Sequence, residues 1–282
     1  MTSVPLFQVE TCGLLTTVQE LAGAVDTFAA SVANILVGNP RGVPLLEMTL
    51  IGPTLRVLSD VRIAVCGADL SAAVDGVSLP LWKTLTLRTG QQVTFSRRRS
   101  GARAYLAIAG GGCQSQRLHA GAFLEGNVAT IAPHERGLWP ADMPDYRLPA
   151  LLRLVPGPHI AAFTESVLEV VSSSAYLVTP QANRMGYRLS GPPIERLDAH
   201  DILSEAMPFG GLQVPPDGQP ILLMADRQTT GGYPLLGTVI SVDLPRAAQL
   251  APGDGVQFEA ITLTKAQECA IQQERWLRVL EA

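Results

Sequence analysis

Hydrophobic residues in this chain recur mostly at every second position, and only a few stretches keep the spacing of a helix. Phe28, Val32, Ile35 and Leu36 fall on one helical stripe, which Asp26 or Thr27 can cap and Gly38 with Pro40 can end. Met48, Leu50, Leu55 and Val57 alternate about a Gly52-Pro53 break, and Val61, Ile63 and Val65 alternate again. Leu85 with Leu87, Val93 with Phe95, and Tyr105 through Ile108 add short strands, with Thr89-Gly90 and Ser100-Gly101 as turns between them. The first third therefore reads as one helix followed by strands.

From Gly110 to about Pro149 the pattern gives way to Gly, Pro, Ala and scattered charge. This marks 113–149 as a loop-rich connection between an N-terminal β-rich lobe, 1–112, and a C-terminal lobe, 150–282. The second half restarts with a short helix near Thr164 to Val171 and strands at Ala175–Val178, Ile221–Ala225 and Gly237–Val242. A last helix opens with Thr264 and Gln267 as a capping box and carries Ala266, Ala270, Gln273, Leu277 and Leu280 on one face. Many short strands, few helices and no βαβ alternation predict a mainly β protein of two lobes, barrel or sandwich, and not a doubly wound sheet.

The 282 residues are 47% hydrophobic and 16% charged, enough apolar matter for a sizeable core. A net charge of −4 gives no electrostatic reason to expect nucleic acid or an anionic membrane as partner. No apolar run reaches the roughly 18 residues that span a bilayer. Residues Met1 to Leu15 contain Glu10 and no basic residue ahead of their apolar part, unlike a signal peptide, so a cytoplasmic protein is expected.

The side-chain inventory restricts the chemistry. Lys83 and Lys265 are the only lysines, so few positions could carry a Schiff base or a biotin. Cys12, Cys66, Cys113 and Cys269 form no CxxC pair and read as reduced thiols. His119, His134, His159 and His200 make no zinc motif, and no metal site is expected. There is no GxxxxGK[ST], no GxSxG and no Met-Lys-Met; Gly110-Gly111-Gly112 reads as a tight turn. ATP or biotin, if used, is expected to arrive with another chain.

The positive signal lies between Arg184 and Pro234. The apolar run Ile221 to Ala225 reads as a buried strand whose end delivers Asp226-Arg227-Gln228, a placement suited to holding a small ligand. Asp226, Arg227, Gln228 and Tyr233 are the candidate catalytic residues. Arg184, Arg188, Gln213, Thr229, Thr230, Gly231 and Gly232 are the candidate substrate-binding residues. Arginine offers a planar fork for carboxylate or phosphate that an adjacent aspartate can orient, and hydroxyls and glycine amides can donate to an oxyanion. A structural account stands beside this one. Asp226 with Arg227 would equally make a buried pair closing a barrel, and Arg184 with Arg188 would share the face of a solvated edge strand. Arg97-Arg98-Arg99 reads as an exposed hairpin turn.

QVPPDGQPILLMADRQTTGGYP at 213–234 closely resembles the hallmark of the family that contains the second subunit of allophanate hydrolase, the KipA-like proteins, the carboxyltransferase part of urea carboxylase and the C subunit of prokaryotic 5-oxoprolinase. NRMGYRLSG at 183–191, GNP at 38–40, LEMTLIGP at 46–53, GAD at 67–69, RAYLAIAGG at 103–111 and AQLAPGDGVQF at 248–258 follow the family's order. The resemblance implies a cyclophilin-like β-barrel architecture in a two-lobed chain. It further implies a KipI-like B subunit and a LamB/YcsF-like A subunit as partners, and ATP-dependent hydrolysis of 5-oxo-L-proline to L-glutamate by the assembly. Two rival implications belong to the same family: a regulatory protein that sequesters a KipI-like kinase inhibitor, and a carboxyltransferase acting on a carboxyl group carried by biotin on another chain. The sequence departs from the family after Gln19, where Glu20 passes almost at once to Ala22–Asp26. It departs again after Gly112, where Cys113 to Gln116 lead directly to Arg117–Gly121. The segments the family carries at these two places are polar and glycine-rich.

Overall fold

The computed structural model describes residues 3–112, 118–127, 135–197 and 202–282, which form two compact units. One comprises Met1–Pro144 with Leu277–Ala282, the other Asp145–Trp276. Cys113, His134, His200 and the second departure from the family lie outside the described residues or run into them.

The first unit holds two sheets. Six strands lie in the order Phe123–Gly126, Val4–Thr11, Thr54–Val57, Gln92–Phe95, Ala72–Val74 and Val77–Ser78. Five more run Leu15–Gln19, Leu45–Thr49, Ser100–Ile108, Val61–Asp69 and Thr84–Leu87. Leu6, Leu46, Ile63, Leu106 and Val93, from five of these strands, are fully buried in one core. The alternation read between Met48 and Ile108 forms strands where it was expected, except at Leu50, which lies past the end of Leu45–Thr49 with a φ of 62°. Two strands, Val4–Thr11 and Leu15–Gln19, precede the helix and were not anticipated, and Phe123–Gly126 pairs with the first of them inside the stretch read as a connection. Ser100-Gly101 opens a strand and makes no turn, and the arginine run before it is not a hairpin turn, because the chain passes there from the six-stranded to the five-stranded sheet.

Helix α1, Thr27–Leu36, is capped by Asp26, whose carboxylate accepts from the Ala29 N–H at 2.8 Å. Beneath its start, Glu47 Oε2 accepts from the Tyr105 hydroxyl at 2.8 Å and from the Val25 N–H at 3.0 Å. Tyr105 in turn accepts from the Asp26 N–H at 2.8 Å. Burial holds the Tyr105 phenol well above its usual range, so it stays a neutral donor.

The second unit is a closed seven-stranded barrel. Its order is Ala150–Pro156, Leu235–Val239, Gly211–Gln213, Ile221–Leu223, Gly186–Ser190, Ala175–Val178 and Gly255–Ala260, which returns to the first in parallel. Alternate residues fill it: Leu152 and Leu154, Tyr176 and Val178, Tyr187 and Leu189, Val256 and Phe258 are buried, while their neighbours face outward. Tyr176 meets Phe258 edge-on at 6.1 Å between ring centroids. Three helices accompany the barrel in sequence: α2, Val167–Ser173; α3, Leu244–Ala248; and α4, Leu263–Glu281. α2 begins three residues later than its spacing suggested. α4 begins two residues earlier than expected and is capped by Thr262 rather than Thr264: the Thr262 hydroxyl accepts from the Lys265 N–H at 3.3 Å. Of the expected α4 face only Leu277 is buried. The architecture is the mainly β, barrel-containing one that the strand pattern and the family resemblance imply.

Candidate functional site

The register of three barrel strands builds the floor of a cavity. Leu212, Leu222 and Tyr187 lie opposite one another and point into the barrel. One residue along, Gln213 faces Ile221, and Ile221 faces Arg188, so these three form a row on the outer surface. Leu223 opposite Gly186 makes the next row. Gln213, Ile221, Arg188, Leu223 and Gly186 all line a cavity of about 530 Å³, within the range of small-molecule sites. Gly186 keeps the floor low, since a Cβ there would stand 3.1 Å from the Leu222 carbonyl oxygen.

Three loops wall this floor. On one side Gln181, Asn183 and Met185 line the cavity; Asn183 Oδ1 accepts from the Met185 N–H at 2.8 Å. On the other, Gln228, Thr230, Gly231, Gly232 and Tyr233 line it. A third segment, Ile202–Met207, runs along this second wall: Glu205–Ala206 pairs antiparallel with Thr230–Gly231, and Met207 reaches the cavity. Gln213 is nearly buried, and its Nε2 donates to Met207 Sδ at 3.1 Å and to the Tyr233 carbonyl at 3.3 Å.

Of the residues singled out from sequence, Arg188, Gln213, Gln228, Thr230, Gly231, Gly232 and Tyr233 meet in this cavity. Asp226, Arg227, Arg184 and Thr229 are not among its lining residues. Asp226 pairs with Arg184 and not with Arg227. The Arg184 guanidinium makes a two-pronged contact to it, Nε to Oδ2 at 2.7 Å and Nη2 to Oδ1 at 2.9 Å, and the Asp226 N–H donates to the Arg184 carbonyl at 2.8 Å. The pair clips the Gln181–Met185 loop to the turn after Leu223. Arg227 Nε donates to the Met207 carbonyl at 2.9 Å, and its guanidinium lies over the Phe209 ring at 5.8 Å. Thr229 contributes its carbonyl, which accepts from the Met207 N–H at 2.9 Å. Arg184 and Arg188 do not share a strand face, because the strand starts at Gly186.

The strand Ile221–Leu223 also serves the site differently from the sequence reading. It ends two residues earlier than expected, and it presents Ile221 and Leu223 through its outer face instead of delivering polar groups from its end. Gln181, Asn183, Met185, Gly186, Met207, Ile221 and Leu223 were not anticipated. Asn183, Met185 and Gly186 sit inside the NRMG words and could have been read from them. Met207 carries no local signal, since only the Glu205–Gly231 pairing brings it in.

Chemically the cavity offers one guanidinium, Arg188, which has no side-chain partner among the described residues. It adds four side-chain amides, a threonine and a tyrosine hydroxyl, and the apolar surfaces of Met185, Met207, Ile221 and Leu223. Among the described residues no group of three His, Cys, Asp or Glu is gathered that could hold a metal, and no helix is long and apolar enough to cross a membrane. A single cation with many amides suits a small monoanion that also carries an amide-like group.

Comparison with known proteins identifies the family. The C subunit of 5-oxoprolinase from Haemophilus influenzae is 32% identical over 274 residues, covering 90% of this chain and 87% of that protein. The crystal structure of TTHA0988 superposes with a TM-score of 0.79 at 31% identity over 90% of this chain, which spans 56% of the TTHA0988 chain. The Kluyveromyces lactis urea carboxylase shares the fold, with a TM-score of 0.80 at 22% identity over 99% of this chain and 29% of that one. The family described as carboxyltransferase domain, subdomain A and B, matches residues 20–260, and the chain belongs to it.

Proposed function

We propose that this chain is the C subunit of an ATP-dependent 5-oxoprolinase, binding 5-oxo-L-proline in the cavity between Arg188 and Gln213. The observation that carries the proposal is the row Arg188–Ile221–Gln213, which sets one cation and one amide about two strand spacings apart, roughly 10 Å between backbones. The substrate is a small ring bearing one carboxylate and one lactam. Arg188 would take the carboxylate; Gln213, Asn183 and Gln228 would take the lactam C=O and N–H; Met185 and Met207 would cover the ring methylenes. The relatives named as C subunits of 5-oxoprolinase support the same substrate.

Hydrolysis breaks the lactam C–N bond, places the water oxygen on the carbonyl carbon and leaves the nitrogen as an amine. An unstrained lactam is a weak electrophile, so coupling to ATP is chemically sensible. The cavity does not fit a triphosphate, because a single guanidinium cannot match that charge. We assign ATP and the groups that handle protons to the KipI-like and LamB/YcsF-like partner subunits that the family resemblance implies, in the cytoplasm. A second reading, favoured by the carboxyltransferase description of the family, places the ureido ring of a biotin carried by another chain against the same amides.

The test is ATP-dependent turnover of 5-oxo-L-proline by the chain with and without its partners. The chain alone should be inactive and the assembly active. Arg188→Met should lower kcat/KM about a hundredfold, the loss of one charged hydrogen-bond pair. An inactive wild-type assembly, or an Arg188→Met assembly as active as wild type, would refute the assignment.

A further inference from the structure

Arg227 belongs to the most distinctive stretch of the sequence, yet its side chain does not line the cavity. What it does instead follows from the segment Ile202–Met207, a strap that belongs to no barrel strand. The Ile202 N–H donates to the Gly232 carbonyl at 2.8 Å, Glu205 and Ala206 pair with Gly231 and Thr230, and the Met207 N–H donates to the Thr229 carbonyl at 2.9 Å. A two-stranded ribbon of this length is marginal by itself in water. Ahead of Met207 a side chain also touches it, His159 Nε2 lying 3.5 Å from Glu205 Oε1.

The strap ends at Met207, which is 4% exposed. Its thioether accepts from Gln213 Nε2, its N–H is held by Thr229, and its carbonyl is met by Arg227 Nε. Arg227 is itself fixed by the Phe209 ring beneath the guanidinium and by the Ala225 carbonyl, 3.5 Å from Nη1. Without the guanidinium, a nearly buried carbonyl loses its donor. The last residue of the strap is then free to lift from Thr229, and Met207 and the Gln213 amide lose their fixed places.

We propose that Arg227 is a positioning residue, which pins the strap through the Met207 carbonyl and so fixes Met207 in the cavity wall and the Gln213 amide in its floor. The consequence for ligand rests on the reading of this cavity as the 5-oxo-L-proline site. The pin itself does not.

The test combines amide hydrogen exchange with calorimetric titration of 5-oxo-L-proline, on wild type, Arg227→Met and Arg227→Lys. Arg227→Met should speed exchange at the Met207 N–H by about tenfold or more, while barrel amides such as Leu222 keep their protection. Its affinity for 5-oxo-L-proline should fall by about the same factor. Arg227→Lys should restore part of both, since an ammonium can reach the carbonyl but lacks the flat fork that rests on Phe209. Unchanged exchange at Met207 in Arg227→Met would overturn the proposal. So would weakened binding with a strap as tight as wild type, which would make Arg227 a ligand contact. If wild type binds no 5-oxo-L-proline, the substrate assignment falls, and the exchange result alone decides the pin. Should Arg227→Met fail to fold, Phe209→Leu removes the ring under the guanidinium, and the same two measurements apply with the same expected directions.

Discussion

One added methyl group tests whether the amide of Gln213 is part of the binding site. Gly231 has an ordinary backbone conformation, so alanine is not strained there by φ. Its Cβ, however, would stand 2.7 Å from Gln213 Nε2 and 3.1 Å from Met207 Cγ. Ordinary contact begins near 3.4 Å, so the Gln213 amide must retreat by about 0.7 Å. That shift stretches its 3.1 Å and 3.3 Å contacts to Met207 Sδ and the Tyr233 carbonyl toward the limit of hydrogen bonding. A neutral hydrogen bond to ligand is worth about 1 kcal/mol. Losing its geometry should weaken 5-oxo-L-proline binding about five- to tenfold. The barrel core is untouched, so the midpoint of urea unfolding should stay near that of wild type. Calorimetric titration beside urea melts on one preparation reads both quantities. Affinity equal to wild type in Gly231→Ala would show that the Gln213 amide does not touch the ligand. A drop in affinity together with a large loss of stability would show that Gly231 matters for folding instead.

Two further expectations concern stability. Asp243, 3% exposed, accepts from the Arg153 backbone N–H at 2.8 Å and from its guanidinium at 2.9 and 2.7 Å. Asp243→Ala strands these donors and should destabilise the barrel unit by about 3 kcal/mol, measured by urea unfolding; a loss under about 1 kcal/mol would contradict the pairing. Glu10 is held below its usual 4.5 by hydrogen bonds from Gln92 and then Arg56. A carboxyl depressed in the folded state stabilises fully above its unfolded value and loses that contribution as pH falls through the folded one. Glu10→Gln should therefore lower stability modestly at pH 7, where the carboxylate contributes fully, and flatten the decline below about pH 4.5, so that the two proteins converge in acid; an acid limb as steep as wild type would refute it.

Local pattern determined a good deal of this protein. Period-two runs at Thr54–Val57, Gln92–Phe95 and Ala175–Val178 became strands because alternate side chains there can all be buried on one face. Asp26 became a cap because its carboxylate reaches a free N–H three residues ahead. The 213–234 words marked the family, and they supply much of the cavity's lining. What local pattern could not decide was partnership. Asp226 next to Arg227 looks like a pair in sequence, but the chain returns at Arg184 with a better-aligned fork, and Arg227 turns instead to the carbonyl of Met207. Nor does sequence tell the inner from the outer face of a barrel strand as short as Ile221–Leu223. Closure of the barrel decides that Leu222 fills the core, while Ile221 and Leu223 floor a cavity with Arg188 and Gln213. Helical and strand periods are properties of neighbours along the chain, so the sequence alone carried them. The cavity is a property of strand register between segments tens of residues apart, so only the tertiary structure decided it.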